Sequence, residues 1–142
     1  MSADPNKKIK LLFACLDWRL HPAIENFFIR EGQGCDLCVT AGSIKGLNDP
    51  ATRGFFVEQI AVSKKLHNCA GVILTSHLDC GAYGGSAAFG ANGEEFAHHK
   101  EQLRLAKEIV SRNFPGLPVE TCVIGLKREG NGWSINPQAV EL

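Results

Sequence analysis

The sequence predicts an α/β fold in one domain, with a mainly parallel central sheet flanked by helices. Four apolar, β-prone runs alternate with helical patterns along nearly the whole chain, and that alternation is the pattern of parallel strands joined by crossover helices. A length of 142 residues fits a single domain over 1–142, and no repeat, low-complexity tract or linker divides it.

The first run, Ile9–Leu16, is almost wholly apolar, as expected of a strand covered on both faces. His21–Glu31 reads as a helix: Pro22 suits a first turn, Ile24, Phe27 and Phe28 share a face, and Gly32 and Gly34 punctuate its end. Asp36–Ala41 is the second strand, running into Gly42-Ser43. Asn48-Asp49-Pro50 signals a helix start, and the helix continues to about Asn68 with Phe55, Val62 and Leu66 on one face. Gly71–Ser76 is the third strand and delivers His77 at its end, followed by a small-residue stretch from Gly81 to Gly93. An amphipathic helix over Glu94–Asn113 turns Leu103, Ala106, Ile109 and Val110 inward, and Pro115-Gly116 closes it. Val119–Leu126 is the fourth strand, and Gly130-Asn131-Gly132 turns the chain into a short edge strand through Trp133 and Ile135.

Fifteen Lys and Arg balance fifteen Asp and Glu, so no basic excess exists to follow a phosphate backbone and nucleic acid is not an expected partner. No apolar run approaches the length of a membrane span, and MSADPNKKIK lacks the form of a secretory signal. A cytoplasmic, reducing location is therefore expected. Six cysteines, at 15, 35, 38, 69, 80 and 122, are then to be divided between metal ligation, catalysis and burial, with disulfides the poorer explanation.

In open parallel sheets chemistry collects beyond the carboxyl ends of the strands, where strand order switches. Cys15-Leu16-Asp17-Trp18-Arg19 leaves strand one and His77-Leu78-Asp79-Cys80-Gly81 leaves strand three. A cysteine together with a His-x-x-Cys pair supplies three ligands of the types zinc favours, and three ligands with an open fourth position is its catalytic arrangement. Asp17 and Arg19 lie two apart and face the same way if extended. An Asp held ionised by an Arg can orient a zinc-bound hydroxide through a hydrogen bond, or swing in as the fourth ligand itself. Asp79 is assigned only a loop or capping part.

Cys15-x-Asp17-x-Arg19 followed by His77-x-x-Cys80-Gly81 resembles the paired signatures of the β-class carbonic anhydrases. The likeness extends to the strand–helix order, the Ala41-Gly42 step and the glycine-rich run after Cys80; where members often carry Arg-Asn before Ala-Gly, this chain has Val39-Thr40. The resemblance implies that Cys15, His77 and Cys80 bind one zinc per chain. Asp17 is the catalytic carboxylate, or a fourth ligand in a closed state only, and Arg19 is its partner. The implied reaction is reversible hydration of carbon dioxide to bicarbonate and a proton by attack of zinc hydroxide. The implied assembly is a homodimer or higher homo-oligomer. Two alternatives keep the zinc: hydrolysis of carbonyl sulfide or carbon disulfide, and a non-catalytic protein whose metal is permanently closed by Asp17.

Cys35-Asp36-Leu37-Cys38 has the spacing of a redox motif or half a zinc knuckle, but it falls in or before strand two and no second CxxC completes it. Core packing is expected for it, and for Cys69 and Cys122. Adjacent His98 and His99 cannot chelate as an i, i+4 pair does and are expected on a solvated helix face, with proton shuttling the lesser reading. His21 and His67 carry no pattern.

Overall fold

In a computed structural model, which describes residues 8–28, 33–91 and 93–142, five strands form one sheet in the order β2-β1-β3-β4-β5. The strands are β1 Lys8–Cys15, β2 Gln33–Thr40, β3 Gly71–His77, β4 Val119–Glu129 and β5 Gly132–Ala139. The first four run parallel, and β5 folds back antiparallel on β4. Helices α1 Ala23–Phe28, α2 Lys45–Asn48, α3 Arg53–His67 and α4 Glu94–Asn113 connect them.

β1 and β3 are interior strands, and their composition shows it. Leu11 to Cys15 are all buried, as is every residue of β3. Alternation splits β1 between two cores. Leu11 and Phe13 pack under α2, α3 and α4 with Leu47, Ile60 and Leu103. Leu12 and Ala14 pack on the other face with Leu20, Ile24 and Ile124. Thr75, also buried, donates from Oγ1 to the Phe13 carbonyl at 2.6 Å.

The predicted elements are present with shifted limits. The helix expected over His21–Glu31 is present as Ala23–Phe28; positions 29–32 lie outside the described residues, and Phe27 is exposed while Ile24 is buried. Asn48 ends α2 instead of starting a long helix, because Asp49 Oδ1 accepts the Ala51 N–H in a tight turn before α3 begins at Arg53. A Cβ at Gly46 would overlap the Phe56 ring, so glycine there permits α2 to lie on α3. The inner stripe of α3 is Phe56, Ile60 and Ser63; the neighbouring stripe of Phe55, Val62 and Leu66 is exposed. Asn68 closes α3 in the left-handed conformation. α4 has the predicted limits and buries the four predicted residues. Among the described residues no helix is long and apolar enough to cross a membrane.

His99 is not on a solvated face. It is 0% exposed, one turn before Leu103 on the inner stripe of α4, and its Nδ1 is hydrogen-bonded to Ser76 Oγ at 2.6 Å. Burial pushes its pKa down from the ordinary 6.5 to about 4, outweighing the attraction of Glu95 at 3.9 Å. The unfolded chain therefore takes up a proton between pH 6.5 and 4 that the folded chain refuses. Stability is intact above that window and falls as pH drops through it, by an amount of order 3 kcal/mol. In urea unfolding of metal-free, reduced protein, His99→Gln should flatten this slope relative to wild type; parallel pH profiles for the two would contradict the assignment.

Candidate metal centre

Order β2-β1-β3 means that the chain leaves β1 for one side of the sheet and returns to β3 on the other. The switch lies between the carboxyl ends of β1 and β3, the place where such sheets bind ligands. Cys15 is the last residue of β1 and His77 the last of β3. After His77 the chain turns through Leu78 and Asp79 and presents Cys80.

One ligating atom each from Cys15, His77 and Cys80 lies within 4.8 Å of the others, and the two sulfurs are 3.9 Å apart. All three residues are buried, with exposures of 5%, 2% and 2%. The His77 Nδ1–H donates to the Leu78 carbonyl at 2.7 Å, which sets the tautomer and leaves Nε2 as an acceptor. That Nε2 is buried with no hydrogen-bond partner. An orphaned imidazole lone pair beside two sulfurs is costly as it stands, and it is a donor set for a borderline-soft divalent cation. The residues fit a metal ion. Among the described residues no other group of three His, Cys, Asp or Glu side chains converges in this way.

Backbone and neighbours favour one thiolate before any metal enters. The Cys80 thiol donates to Cys15 and draws its pKa well below the ordinary thiol value; burial opposes this, and the backbone N–H groups of Asp17 and Gly42 assist. Cys80 is pushed upward by the same contact and by burial. The Gly42 N–H reaches Cys15 Sγ at 3.4 Å. Gly42 has φ +78°, and a Cβ there would stand 2.9 Å from that of Lys45 and 3.1 Å from that of Ala82. Only glycine makes this turn at such close range.

Asp17 and Arg19 are paired. Arg19 Nε donates to Asp17 Oδ1 at 3.1 Å and Oδ2 at 3.2 Å, and Nη2 donates to Oδ2 at 2.7 Å. Arg19 holds the Asp17 carboxyl below the usual range despite its partial burial. Asp17 Oδ2 lies 3.7 Å from His77 Nε2, so this carboxylate borders the position a metal would take. A cavity of about 630 Å³ opens beside it, walled by Leu16, Trp18, Ala41 and Gly42.

Three contributors escaped the sequence reading. Asp79, given only a loop role there, accepts from Arg19 Nη1 at 3.0 Å. Trp133 of β5 stacks on the Arg19 guanidinium at 5.2 Å. Glu95 of α4 accepts the Asp79 N–H at 2.7 Å. Cys35 and Cys38 lie within β2 on opposite faces of the sheet, the first packing toward Leu12 and the second toward Phe13, so they do not form a dithiol pair. Burial raises Cys38 and Cys122 to about 11, and the buried Cys69 donates to Gly71 O at 3.0 Å. These are packing residues. His67, without a pattern in the sequence, pairs with Asp36 at 2.8 Å.

No protein-family model matches the chain. It is 29% identical over 129 residues to an uncharacterized protein of Rickettsia conorii, covering 85% of this chain and 69% of that one. It is 30% identical over 129 residues to an uncharacterized protein of Rickettsia bellii, covering 85% of this chain and 79% of that one. Among solved structures it resembles β-carbonic anhydrase isoform I of Trichomonas vaginalis, with a TM-score of 0.64 at 12% identity, over 98% of this chain and 86% of that one. The chain therefore has a β-carbonic anhydrase-like fold and belongs to one family with the uncharacterized Rickettsia bellii protein.

Proposed function

We propose that this protein is a zinc-dependent carbonic anhydrase, interconverting carbon dioxide and water with bicarbonate and a proton. The observation that carries the proposal is the convergence of two buried sulfurs and an unpartnered His77 Nε2 at the switch point, beside an Asp17 held by Arg19. Two sulfurs and one nitrogen are ligands of zinc, and three protein ligands leave a position open for chemistry. When bound there, zinc supplies Lewis acidity and lowers the pKa of water in that open position.

The chain's own residues do the rest. Arg19 keeps Asp17 ionised, so Asp17 accepts a hydrogen bond from the attacking water and aims its lone pair at the carbon of carbon dioxide. With three side-chain hydrogen bonds committed to Arg19, Asp17 is turned away from service as a fourth ligand, which favours an open site over a permanently closed one. The Gly42 N–H and the Leu78 carbonyl fix Cys15 and His77 from behind. Apolar Leu16 and Trp18 at the mouth suit a small uncharged substrate.

The active unit is a homodimer or larger homo-oligomer. Edge strand β2 exposes Leu37 and Val39, and α3 exposes Phe55, Val62 and Leu66. These five line one groove of about 430 Å³, and an apolar groove against an open sheet edge is a surface that a second copy would cover. A reducing cytoplasm, which keeps both site thiols available to metal, is the compartment proposed.

Reduced protein should carry about one zinc per chain by elemental analysis, and Cys80→Ser should lose metal affinity by more than the 10–100-fold typical of a residue that only supports a ligand. Metal-replete wild type without carbon dioxide hydration at mildly alkaline pH would overturn the assignment. Asp17→Asn should keep its zinc but lower kcat/KM by about a hundredfold in stopped-flow hydration assays; an unchanged rate removes Asp17 from the reaction. Sedimentation should show an oligomer for wild type and a monomer for the Leu37→Asp, Phe55→Asp double variant, whereas a monomeric wild type excludes this interface.

A further inference from the structure

We infer that Asp79 is a positioning residue that anchors Arg19 and thereby keeps Asp17 off the metal position. The inference rests on the reading that Cys15, His77 and Cys80 hold a metal, and adds what holds the fourth position open. Arg19 uses one edge of its guanidinium, Nε and Nη2, on Asp17. Two of its three remaining N–H groups go to Asp79: Nη1 to Oδ2 at 3.0 Å and Nη2 to the backbone carbonyl at 2.9 Å. Asp17 is otherwise held only within its own segment, its Oδ1 accepting the Arg19 N–H at 3.0 Å, and Trp133 lies against the guanidinium face, a contact that does not fix the group in its own plane. Asp79 ties that pair to the turn between His77 and Cys80.

Asp79 is itself fixed on three sides. Its Oδ1 accepts the Ser86 N–H at 2.9 Å, its N–H donates to Glu95 Oε2 at 2.7 Å, and its backbone sits at φ +57°. Glu95 Oε1 also accepts the Ser86 hydroxyl at 2.8 Å. The turn bearing two of the three ligands, the loop at Ser86 and the first turn of α4 therefore form one frame, and Arg19 is hung on it. The distance at stake is short, because Asp17 Oδ2 is 3.7 Å from His77 Nε2. With Arg19 released, a modest rotation carries the Asp17 carboxylate into the position an exogenous ligand would take.

Asp79→Asn isolates this role. Asn tolerates the left-handed backbone and keeps an acceptor for Ser86, while losing the charge that holds Arg19. The probe is thiocyanate, titrated into cobalt-substituted protein and followed by the visible cobalt bands, since the anion needs the open position. Thiocyanate affinity should fall about tenfold in Asp79→Asn, the size of one lost charged hydrogen bond. In an Asp17→Ala background the same substitution should change nothing, because no carboxylate remains to close the site. Should Asp79→Asn not fold, Asp79→Gly suits the same backbone and must give the same tenfold fall. Unchanged or tighter thiocyanate binding in either folded variant overturns the inference, as does an equal fall without Asp17. Wild type that takes up no cobalt with thiolate charge-transfer absorption overturns the metal reading itself and this inference with it.

Discussion

Parallel pairing of β1 with β3, in the register that sets Phe13 opposite Leu74, brings Cys15 and His77 to the same edge of the sheet. Both strands are buried along their inner lengths, so their register is fixed by two cores at once and cannot slip by one residue without driving each side chain into the opposite core. The ligand geometry is thus inherited from the fold. Cys80 needs only the short turn after β3 to join them, and the sulfur–sulfur distance of 3.9 Å is the outcome. The unpartnered His77 Nε2 in so apolar a place is a standing cost in folding energy, one that a cation held by these three residues would offset.

Electrostatics around the site centre on one guanidinium. Arg19 is largely enclosed, with Asp17 and Asp79 at its edges and Trp133 on its face. The two carboxylates come from different segments, and the tryptophan comes from the antiparallel hairpin at the sheet's far edge. A residue contacted from three directions has few rotamers left, and that rigidity is what a positioned carboxylate beside a reacting centre requires. The C-terminal hairpin is thereby part of the site's support as well as an edge of the sheet.

Much of this was legible in the sequence because the relevant signals are local. Near-continuous apolar runs gave β1 and β3, and residue types at the strand exits marked Cys15, Asp17, Arg19, His77 and Cys80. What escaped depends on packing at long range. Periodicity finds the stripes of α3 but does not say which faces inward; Phe56, Ile60 and Ser63 win because Gly46 lets α2 close on that side. His99 lies four residues before Leu103 and seven before Ala106, a spacing that puts it on the buried face although its polar ring suggests the solvated one. Asp79 and Trp133 carry no motif, and their contacts with Arg19 exist only once residues 60 and 114 positions apart are folded together.

X-ray absorption at the zinc edge of the purified, reduced protein tests the central claim most directly. The expected spectrum has two sulfurs at about 2.3 Å and one imidazole nitrogen at about 2.0–2.1 Å, with a single light atom completing four-coordination. A shell of nitrogen and oxygen alone, or one with three or more sulfurs, would place the metal elsewhere and contradict it.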